Sequence, residues 1–157
     1  MSSLGENFCR VDGPAKLRGW AQFTGDIEMP GMVYAKVLRS SYAHARLLRV
    51  DISRAVKLPG VVAILTRDDL KGMNSHFGPV VKDQPVVAMD RVRYVGDIIA
   101  AVAAEEKDIA EEAVELIEVE YEALPAVFDP AAAIEPGAPI LHGESAKSET
   151  RLDRDNF

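Results

Sequence analysis

The stretch from Ile98 to Ile117 constrains this chain most. It sets an unbroken apolar run, Ile98 to Ala104, two residues ahead of an amphipathic segment that opens at Glu106. The run has strand length, and continuous rather than alternating apolarity marks a strand covered on both faces. In the second segment Ile109, Ala110, Ala113, Val114, Leu116 and Ile117 fall at i, i+1, i+4, i+5, i+7 and i+8, a single helical stripe. Glu111, Glu112, Glu115 and Glu118 take the opposite face. A central strand feeding directly into a helix over 106–117 that covers it requires a layered α/β or α+β arrangement.

Other strands follow from shorter signals. Val61 to Leu65 is a second apolar run, stopped on one side by Pro59-Gly60, and reads as another buried central strand. Met32 to Leu38 and Ala45 to Asp51 read as strands paired with each other through the connection Ser40 to His44. Leu17 to Phe23, Val86 to Met89, Val92 to Val95 and Val119 to Tyr121 are short strand candidates. Helical turns are expected over Ser53 to Lys57, with Asp51 or Ser53 as cap, and over Arg67 to Lys71 behind Thr66. Asp129-Pro130 opens a short alanine-rich helix with Pro130 at its first position. Residues 72–85 form the longest loop.

The 157 residues are enough for one domain with a real core, and 48% apolar content excludes a disordered chain. Net charge is −7, against the basic surface that nucleic-acid binding needs. The charge is uneven: residues 1–104 carry net +4, residues 105–122 carry −8, and residues 123–157 carry −3. The acidic block falls mainly on the polar face of the helix, where it reads as solvated surface rather than as paired acid–base residues.

Chemistry-bearing motifs are sparse. Neither a Gly-x-Gly-x-x-Gly nor a Gly-Lys-Ser/Thr phosphate loop occurs, nor a Gly-x-Ser-x-Gly nucleophile elbow. Thr24-Gly25-Asp26 and Gly96-Asp97 read as turns in which Gly supplies the backbone angle and Asp bonds locally. His44, His76 and His142 are too far apart in sequence to argue a metal site, and His44 reads as a structural histidine. Cys9 is the single cysteine, which excludes an internal disulfide and cysteine-ligated iron–sulfur clusters. No apolar run approaches the roughly 20 residues of a membrane span, so a cytoplasmic domain is expected. The residues alone assign no catalytic, cofactor-binding or metal-ligating position. A hydrolase reading would need Asp26, Asp97 or His44 to converge in one pocket.

A set of segments in fixed order adds a resemblance. These are Arg10-Val11-Asp12-Gly13 with Lys16, Phe23-Thr24-Gly25-Asp26, Pro30-Gly31-Met32 and Arg39-Ser40-Ser41-Tyr42-Ala43-His44-Ala45-Arg46. Leu58 to Thr66, Val92-Arg93-Tyr94-Val95-Gly96-Asp97, Val119 to Pro125 and Leu141-His142 complete it. The chain resembles the N-terminal α/β-hammerhead domain of the molybdenum-binding large subunit of the xanthine dehydrogenase / aldehyde oxidase family. Phe23 replaces the usual tyrosine, and Asp97 stands where many members have glutamine.

The resemblance implies an α/β (α+β) hammerhead, with a mixed β-sheet and a few packed helices. It further implies a flexible lead-in over 1–9, the hammerhead over 10–145, and a charged tail over 146–157 leading toward a molybdopterin-binding domain. The complete enzyme would hydroxylate an aldehyde or N-heterocycle with water, using molybdopterin-bound molybdenum, iron–sulfur clusters and FAD. Those cofactors are expected on other domains and subunits, which would be the partners of this one. No catalytic, cofactor or metal residue transfers to this chain. A stand-alone binding or protein-interaction module of the same fold is the alternative. The chain ends fit the separate large subunit of bacterial multi-subunit members, seen here as an excised domain or a short gene product.

Overall fold

A computed structural model describes residues 10–73, 75–78 and 82–142. The lead-in before residue 10 and the tail from 143 onward lie outside them, and Cys9 with the former. The chain divides into two compact units, Met1–Met32 and Val33–Phe157.

The described part of the first unit begins with α1, Gly13–Leu17, which has Pro14 in its opening turn and no buried residue. Its start is tied by Asp12, which pairs with Arg10 and, at 2.6 Å, with Lys16. A 3₁₀ turn, Thr24–Asp26, follows, and the Asp26 carboxylate accepts the Phe23 amide at 2.9 Å. The strand expected over Leu17 to Phe23 is not formed. Pro14 seeds a helix just upstream, and the amides of Trp20 and Ala21 turn back to the Ala15 carbonyl at 2.8 and 3.2 Å.

The second unit holds two three-stranded sheets. One is ordered β1 (Tyr34–Arg39), β7 (Ile98–Ala104), β3 (Val61–Leu65), with β7 in the middle. The other is ordered β6 (Arg91–Val92), β2 (Ala45–Asp51), β8 (Glu118–Ala123), with β2 in the middle. A two-residue hairpin, β4 (His76–Phe77) with β5 (Gln84–Pro85), interrupts the long loop. In the first sheet β1 and β3 run alike and β7 runs against both, and every described ladder is antiparallel.

The central placement of β7 accounts for its continuous apolarity. Ile99 packs with Ala45, Leu47, Ala88 and Val92 on one side. Ala100 and Val102 pack with Ala55, Ala113 and Ile117 on the other. Leu38, Val50 and Val119 touch both clusters and join them into one core. The helix α2 spans Lys107–Glu115, shorter at each end than the expected 106–117, and buries the small residues Ala110 and Ala113 against the sheet. Close approach is permitted by Gly60, at φ +89, where a Cβ would stand 2.6 Å from Ile109 Cδ1.

Several expectations change. β3 is an edge strand and not a central one, with Val62 56% exposed, because only its β7 side is paired. β1 and β2 are not partners: Ser40 to His44 carries no tight-turn signal and passes the chain from one sheet to the other. Arg67 to Lys71 forms turns, not a helix, although Thr66 is bonded through its amide to the Asp69 carboxylate at 2.7 Å. Of the segments 86–89 and 92–95 only Val92 joins a ladder, paired with Ala45. The helical turn near 53–57 is a 3₁₀ turn, Ala55–Lys57, and α3 spans Pro130–Ala133 with Asp129 as cap. The acidic block is also divided. Glu118, Glu120 and Glu122 lie on β8, opposite Arg54, Arg49 and Arg46 at 3.1, 3.6 and 2.8 Å. Glu111 on α2 pairs with Lys36 on β1 at 2.6 Å. That arrangement sets a period-two strand of alternating Glu beside a basic strand.

Candidate functional site

The segments Arg39 to Arg46, Val92 to Asp97 and Val119 to Pro125 meet at one end of the two sheets. Ser40 donates its amide to the Asp97 carbonyl and accepts the Gly96 amide, both at 2.8 Å. Arg39 adds a guanidinium bond to the Gly96 carbonyl at 2.9 Å. The Leu124 amide donates to the His44 carbonyl at 3.0 Å, and His44 Nδ1 lies 2.6 Å from the Pro125 carbonyl. Tyr42 and Tyr121 stack alongside, with ring centroids 4.6 Å apart.

Where these segments converge they enclose a hollow of about 280 Å³. Its wall is made by Ala43 and His44, by Arg93 to Val95, by Ala126 to Phe128 and by Leu141. The polar groups around it are already engaged. Arg93 donates to the carbonyls of Leu141 and Arg91 at 3.0 and 3.2 Å and to the Asp90 carboxylate at 3.3 Å. Asp97 is buried beneath the Gly96 turn and accepts the Arg93 amide at 3.0 Å. Burial pushes its carboxyl above the ordinary carboxylate value, outweighing the bonds and the Arg93 charge that act the other way. The exception is His44 Nε2, a buried atom with no hydrogen-bond partner among the described residues.

A larger and more open hollow of about 380 Å³ lies between Arg46, Arg67, Lys71 and Asp90. Its cations are also taken. Arg67 clamps the carbonyls of Leu47, Met89 and Leu48 at 2.9, 3.0 and 3.3 Å. Lys71 pairs with Asp68 at 2.6 Å and Arg46 with Glu122 at 2.8 Å.

Asp26 caps a turn in the first unit, while Asp97 and His44 each bond to backbone groups and not to one another. His76 lies on β4, and His142 sits 3.7 Å from Asp83. Among the described residues no three His, Cys, Asp or Glu side chains gather as metal ligands. Sequence reasoning does not find the hollow. Its exposed apolar rim, Tyr94, Val95 and Phe128, comes from two separate segments whose individual residues look like ordinary surface positions.

Fold and motif geometry meet in the comparisons with known proteins. Residues 18–125 match the family model described as aldehyde oxidase and xanthine dehydrogenase, a/b hammerhead domain. The chain belongs to that family, and the α+β hammerhead is its fold.

Among individual relatives, it is 41% identical over 142 residues to the nicotinate dehydrogenase large molybdopterin subunit of Eubacterium barkeri, covering 90% of this chain and 33% of that protein. It is 41% identical over 134 residues to the carbon monoxide dehydrogenase large chain of Afipia carboxidovorans, covering 84% and 17%. The crystal structure of the Cu,Mo-CO dehydrogenase in its carbon monoxide reduced state superposes with a TM-score of 0.83 at 38% identity, covering 93% of this chain and 18% of that one. The aldehyde oxidoreductase of Desulfovibrio gigas gives 0.75 at 28%, covering 86% and 16%. The chain thus spans about a sixth to a third of the length of such relatives. No helix of the described residues is long and apolar enough to cross a membrane.

Proposed function

We propose that this chain is a non-catalytic structural domain of the large subunit of a molybdenum hydroxylase, comprising residues 10–145 with a short lead-in and tail. The complete enzyme hydroxylates an aldehyde or N-heterocycle with water. It passes the electrons to iron–sulfur and FAD partners in the cytoplasm. The molybdopterin-binding domains of the same large subunit are the immediate neighbours of this domain.

One observation carries the reading. The polar side chains of these segments give their hydrogen bonds mainly to the chain's own backbone, even where they line the hollow. Arg93 ties Leu141 and Arg91, Asp97 holds the Arg93 amide, and His44 Nδ1 meets Pro125. Side chains used in this way position strands and loops, and they leave substrate chemistry to other domains.

The test is made in the complete large subunit. His44→Ala and Asp97→Asn are expected to change thermal stability while leaving kcat per bound molybdenum unchanged. A loss of kcat per molybdenum in either would place this chain in the catalytic machinery.

A further inference from the structure

We propose that the 280 Å³ hollow between His44, Tyr94, Val95 and Phe128 is the seat of an uncharged, apolar segment of the same large-subunit polypeptide, from beyond these 157 residues. The inference rests on the reading of this chain as one domain of such a subunit, and it names the surface by which the domain docks.

Four observations select this surface and this occupant. The rim is strongly apolar and open: Phe128 is 83% exposed and Val95 64% exposed, with Tyr94 beside them. Apolar side chains clustered around a concavity mark a docking site, whereas isolated ones do not. Arg93, the only charged residue in the wall among the described residues, has its guanidinium bound to two carbonyls and a carboxylate, so it is not free to meet a phosphate or a carboxylate.

His44 then describes the polar part of the occupant. A carbonyl only accepts, so the 2.6 Å contact with Pro125 puts the proton on Nδ1 and leaves Nε2 of the neutral ring as an acceptor. Nε2 is buried and without a partner among the described residues, and buried polar atoms are satisfied in nearly all folded structures. The seated segment is therefore apolar and brings one N–H or O–H. Finally, the chain covers only 33% of the E. barkeri relative and 18% of the CO dehydrogenase chain, so most of a large subunit remains available to cover this face.

The experiment uses the full-length large subunit within its assembled enzyme. Phe128, Val95 and, as a control on the exposed outer face of β3, Val62 are each replaced by the photo-crosslinking residue p-benzoylphenylalanine. After irradiation the cross-linked peptides are identified by mass spectrometry. The expected result is cross-links from positions 128 and 95 to a peptide of the same polypeptide outside residues 1–157. Cross-links from these positions to another subunit or to a second copy, or none at all, would overturn the proposal and leave the structural-domain reading untouched.

A second arm places a charge at the same positions. Phe128→Glu and Val95→Glu are expected to lower recovery of assembled enzyme about tenfold, as loss of a central apolar anchor does, with Val62→Glu within about twofold of the unsubstituted protein. Equal losses at all three positions would overturn it as well.

Discussion

His44 and Pro125 are joined across 81 residues by a 2.6 Å hydrogen bond from the imidazole Nδ1 to the proline carbonyl. This bond fastens the entry of β2 to the segment that follows β8, so it holds the second sheet together at its motif-bearing end. His44→Ala deletes the donor, leaves the carbonyl unpaired and opens a gap at a residue only 6% exposed. The expected cost is about 2–4 kcal/mol by urea unfolding. His44→Asn, which retains an N–H donor, is expected to recover part of it. A cost below about half a kcal/mol for the alanine variant would mean that the bond contributes little to stability.

Gly60→Ala tests how α2 reaches the sheet. The new Cβ meets Ile109 Cδ1 at 2.6 Å and forces an L side chain to φ +89. A loss of at least about 2 kcal/mol is expected from strain and overpacking together. Ile109→Val removes the clashing methyl. The double variant is therefore expected to be less destabilised than the two single losses combined, and the remainder reports the backbone strain.

Asp97 gives the pH dependence its sign. Burial raises its folded-state pKa above the ordinary 3.8, so the folded protein holds this proton more tightly than the unfolded chain. Its contribution is fully present below the unfolded value and is lost as pH rises through the raised one. Asp97→Asn does not titrate. The stability of Asp97→Asn minus that of the unsubstituted protein is therefore expected to climb as pH passes upward through this window. A flat or falling difference, measured by denaturant unfolding at a series of pH values, would contradict the burial.

Lys36 and Glu111 form a 2.6 Å pair between β1 and α2, and the Lys36 ammonium holds the Glu111 carboxyl below the ordinary glutamate value. Both partners are about half exposed, so Lys36→Met is expected to change stability no more than an ordinary surface substitution does. Its clear effect is on titration. The Glu111 carboxyl carbon followed by NMR is expected to move up toward the ordinary value in the variant, and to do so less in high salt.

The parts of the fold legible in the sequence are those with a strong period or an unbroken run. Ile98 to Ala104 is the doubly covered centre of its sheet, and the stripe from Ile109 to Ile117 is the helix face that covers it. Val61 to Leu65 shows the limit of the same signal. An apolar run also suits an edge strand whose exposed Val62 faces away from its own core, and nothing local distinguishes the two. Strand partners stay hidden because pairing is a tertiary property. Ala45 to Asp51 has the same local pattern whether it joins Tyr34 to Arg39 or, as found, Glu118 to Ala123. Of the β8 glutamates Glu118 reads locally as helix surface, and the pairing of Glu118, Glu120 and Glu122 stays hidden because their partners Arg54, Arg49 and Arg46 lie 64 or more residues away in the chain. The order of the family segments is legible, but not their meeting around one hollow.

The central claim is that this chain supports a molybdenum enzyme without holding its chemistry, and the direct measurement is metal content and turnover of the purified 157-residue chain. After expression in a host that makes the molybdenum–pterin group, the chain is expected to unfold cooperatively, carry no stoichiometric molybdenum by mass spectrometry and oxidise neither aldehydes nor purines. One molybdenum per chain, or turnover of either substrate class, would contradict it.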